Sequence, residues 1–173
     1  MIEALSLLAA IAIGFGAAVQ TSMLGAMGRA RGPSEAAWLS VLTTVCGLAV
    51  LLGSRAWRGD PPLLPFPLDR LWLYIAVALV TGAGVLLGLR GLHPSFAVSG
   101  LFGLAFIIGA ATIAPRIGIA LFISAAIAGQ LIGAMTMDQI GAFGAAVHGV
   151  TPMRLAGAAL LLTGVVLVRG IGR

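Results

Sequence analysis

Charge is what this chain has least of. Only 9% of its 173 residues are charged, where a soluble domain carries about 25%. A fold so poor in charge cannot cover a water-facing surface with polar groups. Lysine is absent: all ten basic residues are Arg, scattered in ones and twos between apolar blocks. No basic face with interleaved aromatics exists, so the net charge of +5 does not point to nucleic acid. Arg at helix ends serves lipid headgroups and topology instead. Cysteine occurs once, at Cys46, which excludes an internal disulfide or a thiolate metal cluster and leaves a small packing residue. The two histidines, His93 and His148, fall in connecting segments without a second ligand at metal-site spacing, so neither metal nor cofactor is expected. No HExxH, GxSxG or P-loop is present, and no Asp, Glu or His lies inside an apolar block, so the chain does not read as an enzyme.

What is there is hydrophobic. Apolar residues make up 60% of the chain and the mean hydropathy is +1.13. Six stretches approach the roughly 20 apolar residues that a membrane crossing needs, at about 4–27, 36–53, 71–89, 96–114, 117–137 and 153–168. In hydrocarbon every backbone N–H and C=O must be satisfied internally, so the expected fold is all-α. The chain is read as a single transmembrane domain over 1–173, a polytopic bundle of about six helices with the lipid bilayer as its partner. Met1-Ile2-Glu3 lacks a basic n-region and the apolar run outlasts a signal sequence, which favours a retained first helix.

The connections follow from their residues. Gly32-Pro33-Ser34-Glu35 reads as a turn with Ser34 as helix N-cap. Arg55 to Arg70 contains Pro61, Pro62, Pro65 and Pro67 and reads as the one polar, extended loop. His93-Pro94-Ser95 makes a tight link, Pro115-Arg116 breaks the chain again, and 138–151 is a glycine-rich connection. Trp38 and Trp57 bracket the second span, and at ~1.5 Å per residue their separation is about 28 Å, close to a bilayer core. Trp72 and Tyr74 mark the mouth of the third. Arg55, Arg58, Arg70, Arg116, Arg169 and Arg173 lie on one side, against Arg29, Arg31, Arg90 and Arg154 on the other. The imbalance tilts both termini toward the cytoplasm, and its weakness leaves dual insertion open.

Few residues inside this map could touch a solute. Gln20, Thr21 and Ser22 form a polar patch late in the first span, and Gln130 lies in the fifth. Each Gln serves either as interhelical glue or as pathway lining. Asp138, the carboxylate nearest hydrocarbon, is either a proton partner or a solvated loop residue. Gly84 with Gly88 and Gly129 with Gly133 form GxxxG spacings that let helix backbones approach closely. That approach suits a sliding or dimerising interface and static packing equally.

The C-terminal third carries a resemblance. Its blocks are Ala128-Gly129-Gln130-Leu131, the run from Met137 through Asp138 and Gly141 to Gly144, and the run from Arg154 through Gly157 to Gly164-Val165. In order, these resemble the YdcZ-type family of the drug/metabolite transporter superfamily. Ser99-Gly100-Leu101-Phe102-Gly103, Ala114-Pro115-Arg116-Ile117-Gly118 and the surroundings of Gln20 are similar as well. Two departures stand out: Leu24 sits where the family typically has Asn, and 71–89 looks like a helix beyond the usual five.

The resemblance implies a secondary transporter, or a one-repeat half of one, in the bacterial inner membrane. It would move a small organic solute by alternating access, as a homodimer. Gln20 and Gln130 would then line the pathway, with Asp138 as proton or orientation partner and Gly129 and Gly133 permitting helices to slide. Small multidrug exporters need a glutamate midway along the first helix, a part that Glu3 is too near the terminus to play. The alternative is a non-transporting membrane scaffold or accessory subunit, which needs no coupling residue.

Overall fold

The computed structural model describes residues 2–170, so Arg173, assigned above to one side of the membrane, lies outside the described residues. Six α-helices account for most of them: α1 (Ile2–Arg31), α2 (Pro33–Trp57), α3 (Leu71–Gly88), α4 (Ser99–Ile117), α5 (Ile119–Ile140) and α6 (Pro152–Arg169). Short 3-10 turns at Pro94–Val98 and Ala142–Gly144 precede α4 and follow α5. The described residues contain no strand. Five helices are long and apolar enough to cross a membrane, the fourth counted together with its preceding 3-10 turn; Pro152–Val168 is apolar but shorter.

Several boundaries differ from the sequence reading for clear reasons. The bend between α1 and α2 is made by Gly32 at φ 105, and α2 starts with Pro33 in its first turn. Ser34 is therefore already inside the helix and caps nothing. Gly supplies the positive φ, and the fixed φ of Pro suits the first helical position. Pro115 likewise does not end α4, which runs on to Ile117. It falls in the last turn, where the lost N–H and the ring clash affect little of the ladder. The break comes at Gly118, at φ 91, and α5 begins at once. His93 accepts the backbone N–H of Ser95 on Nδ1 at 3.3 Å, which caps the 3-10 turn.

The chain packs as two compact units, one of residues 27–104, the other of residues up to 26 and from 105 onward. In the first, α2 and α3 form a hairpin. Cβ atoms added at Gly84 and Gly88 would stand 3.2 and 3.0 Å from the Leu42 and Leu39 side chains. Gly100 sits against the Ser40 carbonyl and Thr44, too close for any side chain. The Thr44 hydroxyl lies 2.9 Å from both the Ser40 and Gly100 carbonyls. Arg31 donates to the Gly88 carbonyl at 2.6 Å and also to that of Arg90, placing a cation on the negative end of α3.

The other unit has a core of Ala10, Ala114, Phe122 and Ala125, packed around by Leu7, Ile11, Phe106, Ala110, Ile113 and Ile117. Phe106 and Phe122 meet at 5.8 Å between ring centroids. Small residues dominate because α1 and α5 touch backbone to backbone. Gly14 faces the Ala126 carbonyl, Gly129 faces the Ile11 carbonyl, and Gly133 meets Phe15 and Ala18. In lipid, where no hydrophobic drive joins helices, such close approach supplies the dispersion contacts that do.

Candidate functional site

A polar constellation forms at the turn that joins α5 to α6. Gly141 ends α5 in the left-handed region, at φ 60, and its N–H reaches back to the Asp138 carbonyl at 3.3 Å. Phe143 (φ 54) and Gly144 (φ 75) continue the reversal. The His148 N–H then donates to the same Asp138 carbonyl at 2.9 Å, and the Val150 N–H donates to Gln139 Oε1 at 2.8 Å. Thr151 caps α6 by accepting the Arg154 N–H at 3.3 Å, with Pro152 in the first turn. Arg154 closes the structure: its guanidinium donates to Asp138 Oδ2 at 2.8 Å and to the His148 carbonyl at 3.3 Å.

The aspartate, the two glycines and the arginine of the sequence blocks are thus parts of one turn. The two side chains of the ion pair keep 39% (Asp138) and 41% (Arg154) of their surface exposed. A pair so open to solvent contributes on the order of 1 kcal/mol or less. Sequence reading singled out Asp138 but missed Arg154 and Thr151 as its companions. Thr151-Pro152 ahead of an apolar run is a helix-start signal that would have found the cap.

Beside this turn, α5 and α6 flank an open groove of about 480 Å³, lined by Ile132, Met135, Thr136, Gln139, Val150 and Leu155 among others. Its wall is almost wholly apolar. The Thr136 hydroxyl donates to the Ile132 carbonyl at 2.8 Å, as those of Thr112 and Thr163 do to carbonyls four residues back, so these donors are already engaged. A second recess of about 230 Å³ lies further along the same helix pair, between Ser124 and Ile127 of α5 and Leu161 and Gly164 of α6.

The other sequence candidates are spread along the unit. Gln20 and Ser22 are half-buried on α1, and exposed Thr21 donates to the Ala17 carbonyl at 2.9 Å. Gln130 is half-buried on α5. Gly129 meets Ile11 and Gly133 meets Phe15, so α1 and α5 run parallel and step together. With Gly14 against Ala126 and Gly133 against Ala18 as well, Gln130 lies level with about Phe15 of α1, a little over one turn or ~8 Å from the level of Gln20. Gln20 falls level with about Met135 of α5. The packing therefore separates the two glutamines and sets Gln20 toward the Asp138 end of α5.

No group of His, Cys, Asp and Glu that could hold a metal occurs among the described residues. The model of a family described as "Putative inner membrane exporter, YdcZ" matches residues 71–167, more than half of the chain. The match takes in α3 itself, the helix that the resemblance had marked as additional, while the similar region around Gln20 lies outside it. No curated protein and no solved structure matches the chain. Five membrane-length apolar helices together with this match make the chain a multi-pass inner-membrane protein, and it belongs to the YdcZ family.

Proposed function

We propose that the protein is a secondary carrier that exports a small organic solute by alternating access, acting as a homodimer in which each chain is one transmembrane domain. The observation that carries this reading is the groove of about 480 Å³ between α5 and α6, inside the family-matched region. Its size falls in the range of roughly 300–1,000 Å³ that small ligands occupy, and its lining suits an apolar body with Gln139 as polar contact. Gln20, Thr21, Ser22 and Gln130 line the path along α1 and α5 in this proposal. Asp138 acts as an orientation partner through its bond to Arg154. Gly84, Gly88, Gly129 and Gly133 let backbones shift against their neighbours. The homodimer is supported by α6, which is exposed along nearly all of its described length. A side chain at Gly157 or Gly164 would meet open space.

A second reading, a non-transporting scaffold or accessory subunit, is favoured by the lack of any acidic residue or histidine within the span interiors. Counterflow separates the two. Purified protein in liposomes should exchange at least one solute from a panel of small amphipathic metabolites, with saturation. Failure across the panel, with a membrane partner co-purifying at fixed stoichiometry, would leave the scaffold.

A further inference from the structure

The segment between α2 and α3, residues 58–70, reads as polar from its charges, yet it turns its apolar side chains outward. Leu63 is 101% and Phe66 76% exposed, with Leu64 and Leu68 exposed beside them. Trp57 and Trp72 stand exposed at the two helix ends that the segment joins. This outward display belongs to an ordered segment. Asp60 is held by Arg55 at 2.7 Å, the Tyr74 hydroxyl donates to the Leu68 carbonyl, and Pro62 is buried. Its backbone also bonds to itself: the Leu64 N–H to the Pro62 carbonyl and the Leu68 N–H to the Pro65 carbonyl, both at 2.8 Å. A segment that satisfies several of its own backbone groups can enter a poorly hydrated layer at lower cost.

The charges fit the same medium. Arg55 and Arg58 lie next to Trp57, and the Arg70 guanidinium stands 5.9 Å over the Phe66 ring, covering part of it. An Arg and Trp girdle with Leu and Phe projecting beyond it is the composition of a membrane–water interface. α2 and α3 both have membrane-crossing length and join at this segment, so lipid is the apolar phase continuous with it.

We propose that residues 58–70 form an interfacial staple, with Leu63 and Phe66 seated at the headgroup–acyl boundary of the leaflet that α2 leaves and α3 enters. The arginines meet lipid phosphates there, and the α2–α3 hairpin is fixed in depth. Nitroxide labels at Leu63→Cys and Phe66→Cys, in a Cys46→Ala background and in phosphatidylethanolamine/phosphatidylglycerol vesicles, test this. The ratio of collisions with oxygen to collisions with a water-soluble nickel chelate should be several-fold higher than for His148→Cys and clearly below that at mid-span Leu79→Cys. A ratio equal to that at His148 would put the segment in water. Shielding from both reagents would mean that a second copy or another protein covers it. Either result overturns the proposal. The unmodified protein provides a check free of substitutions: a lipid carrying a photoreactive group at headgroup depth should label the 58–70 peptide, and absence of adducts there counts against the staple.

Discussion

Replacing Gly129 with Ala is the sharpest test of how α1 and α5 are held together. A Cβ at this position would fall against the Ile11 carbonyl oxygen, with the carbonyl carbon 2.8 Å and the Cα 3.0 Å away. The obstacle is backbone, so no rotamer change relieves it. Two effects oppose each other. Alanine is a better helix former than glycine by about 1 kcal/mol. Overpacking a close contact costs about 1–3 kcal/mol, and backbone obstacles sit at the upper end. The net expectation is a loss of roughly 1–2 kcal/mol, about a 5- to 30-fold fall in the folded-to-unfolded ratio.

The neighbours make this a graded series. Gly14→Ala meets the Ala126 backbone and should match Gly129→Ala. Gly133→Ala meets the Ala18 Cβ at 2.8 Å and the Phe15 carbonyl at 3.0 Å, and should cost less. Gly28→Ala, with nothing nearer than 3.9 Å, should be neutral or slightly stabilising. Equilibrium unfolding of each variant in mixed detergent micelles, followed by tryptophan emission, gives the ranking. If Gly129→Ala proves as stable as Gly28→Ala, the backbone-to-backbone account of this helix pair is wrong.

Other expectations follow from separate parts of the molecule. Ser99 is fully buried and its Oγ has no hydrogen-bond partner, so Ser99→Ala should leave stability unchanged or raise it by about 1 kcal/mol. A clear loss in the same unfolding assay would mean that the hydroxyl is bonded. A double-mutant cycle on Asp138→Asn and Arg154→Gln should give a coupling of about 0.2–1 kcal/mol that shrinks with added salt, as suits a pair 2.8 Å apart but open to solvent. Coupling several-fold larger would show a desolvated pair. Ala158→Trp should fill the α5–α6 groove that Ala158 lines. Counterflow would then be abolished while the unfolding midpoint stays near that of the parent, and undiminished flux would remove the groove from the pathway.

Much of the candidate site was visible as residue types and little of it as geometry. Asp138 and the glycines after it were legible because a left-handed helix stop favours glycine, as Gly141 does at φ 60. The partner was not, since Arg154 is sixteen residues along and reaches Asp138 only after the turn reverses. Gln20 and Gln130 look like a pair in sequence but differ by more than one turn in depth, because register is a property of the α1–α5 packing. The 58–70 segment misled through its charges: Asp60 and Asp69 each pair with a nearby Arg, and what faces outward is Leu and Phe.

By itself the sequence determined the solvent and the secondary structure. Hydropathy over some twenty residues is a local sum, and backbone groups in hydrocarbon have only helix available in so short an apolar block. Tertiary structure alone decided which glycines are indispensable. Gly129 and Gly157 sit in similar apolar surroundings along the chain, yet one abuts a carbonyl and the other open space. That difference depends on where a second helix crosses, which is set by the combined fit of many side chains and backbones and by no short run of residues.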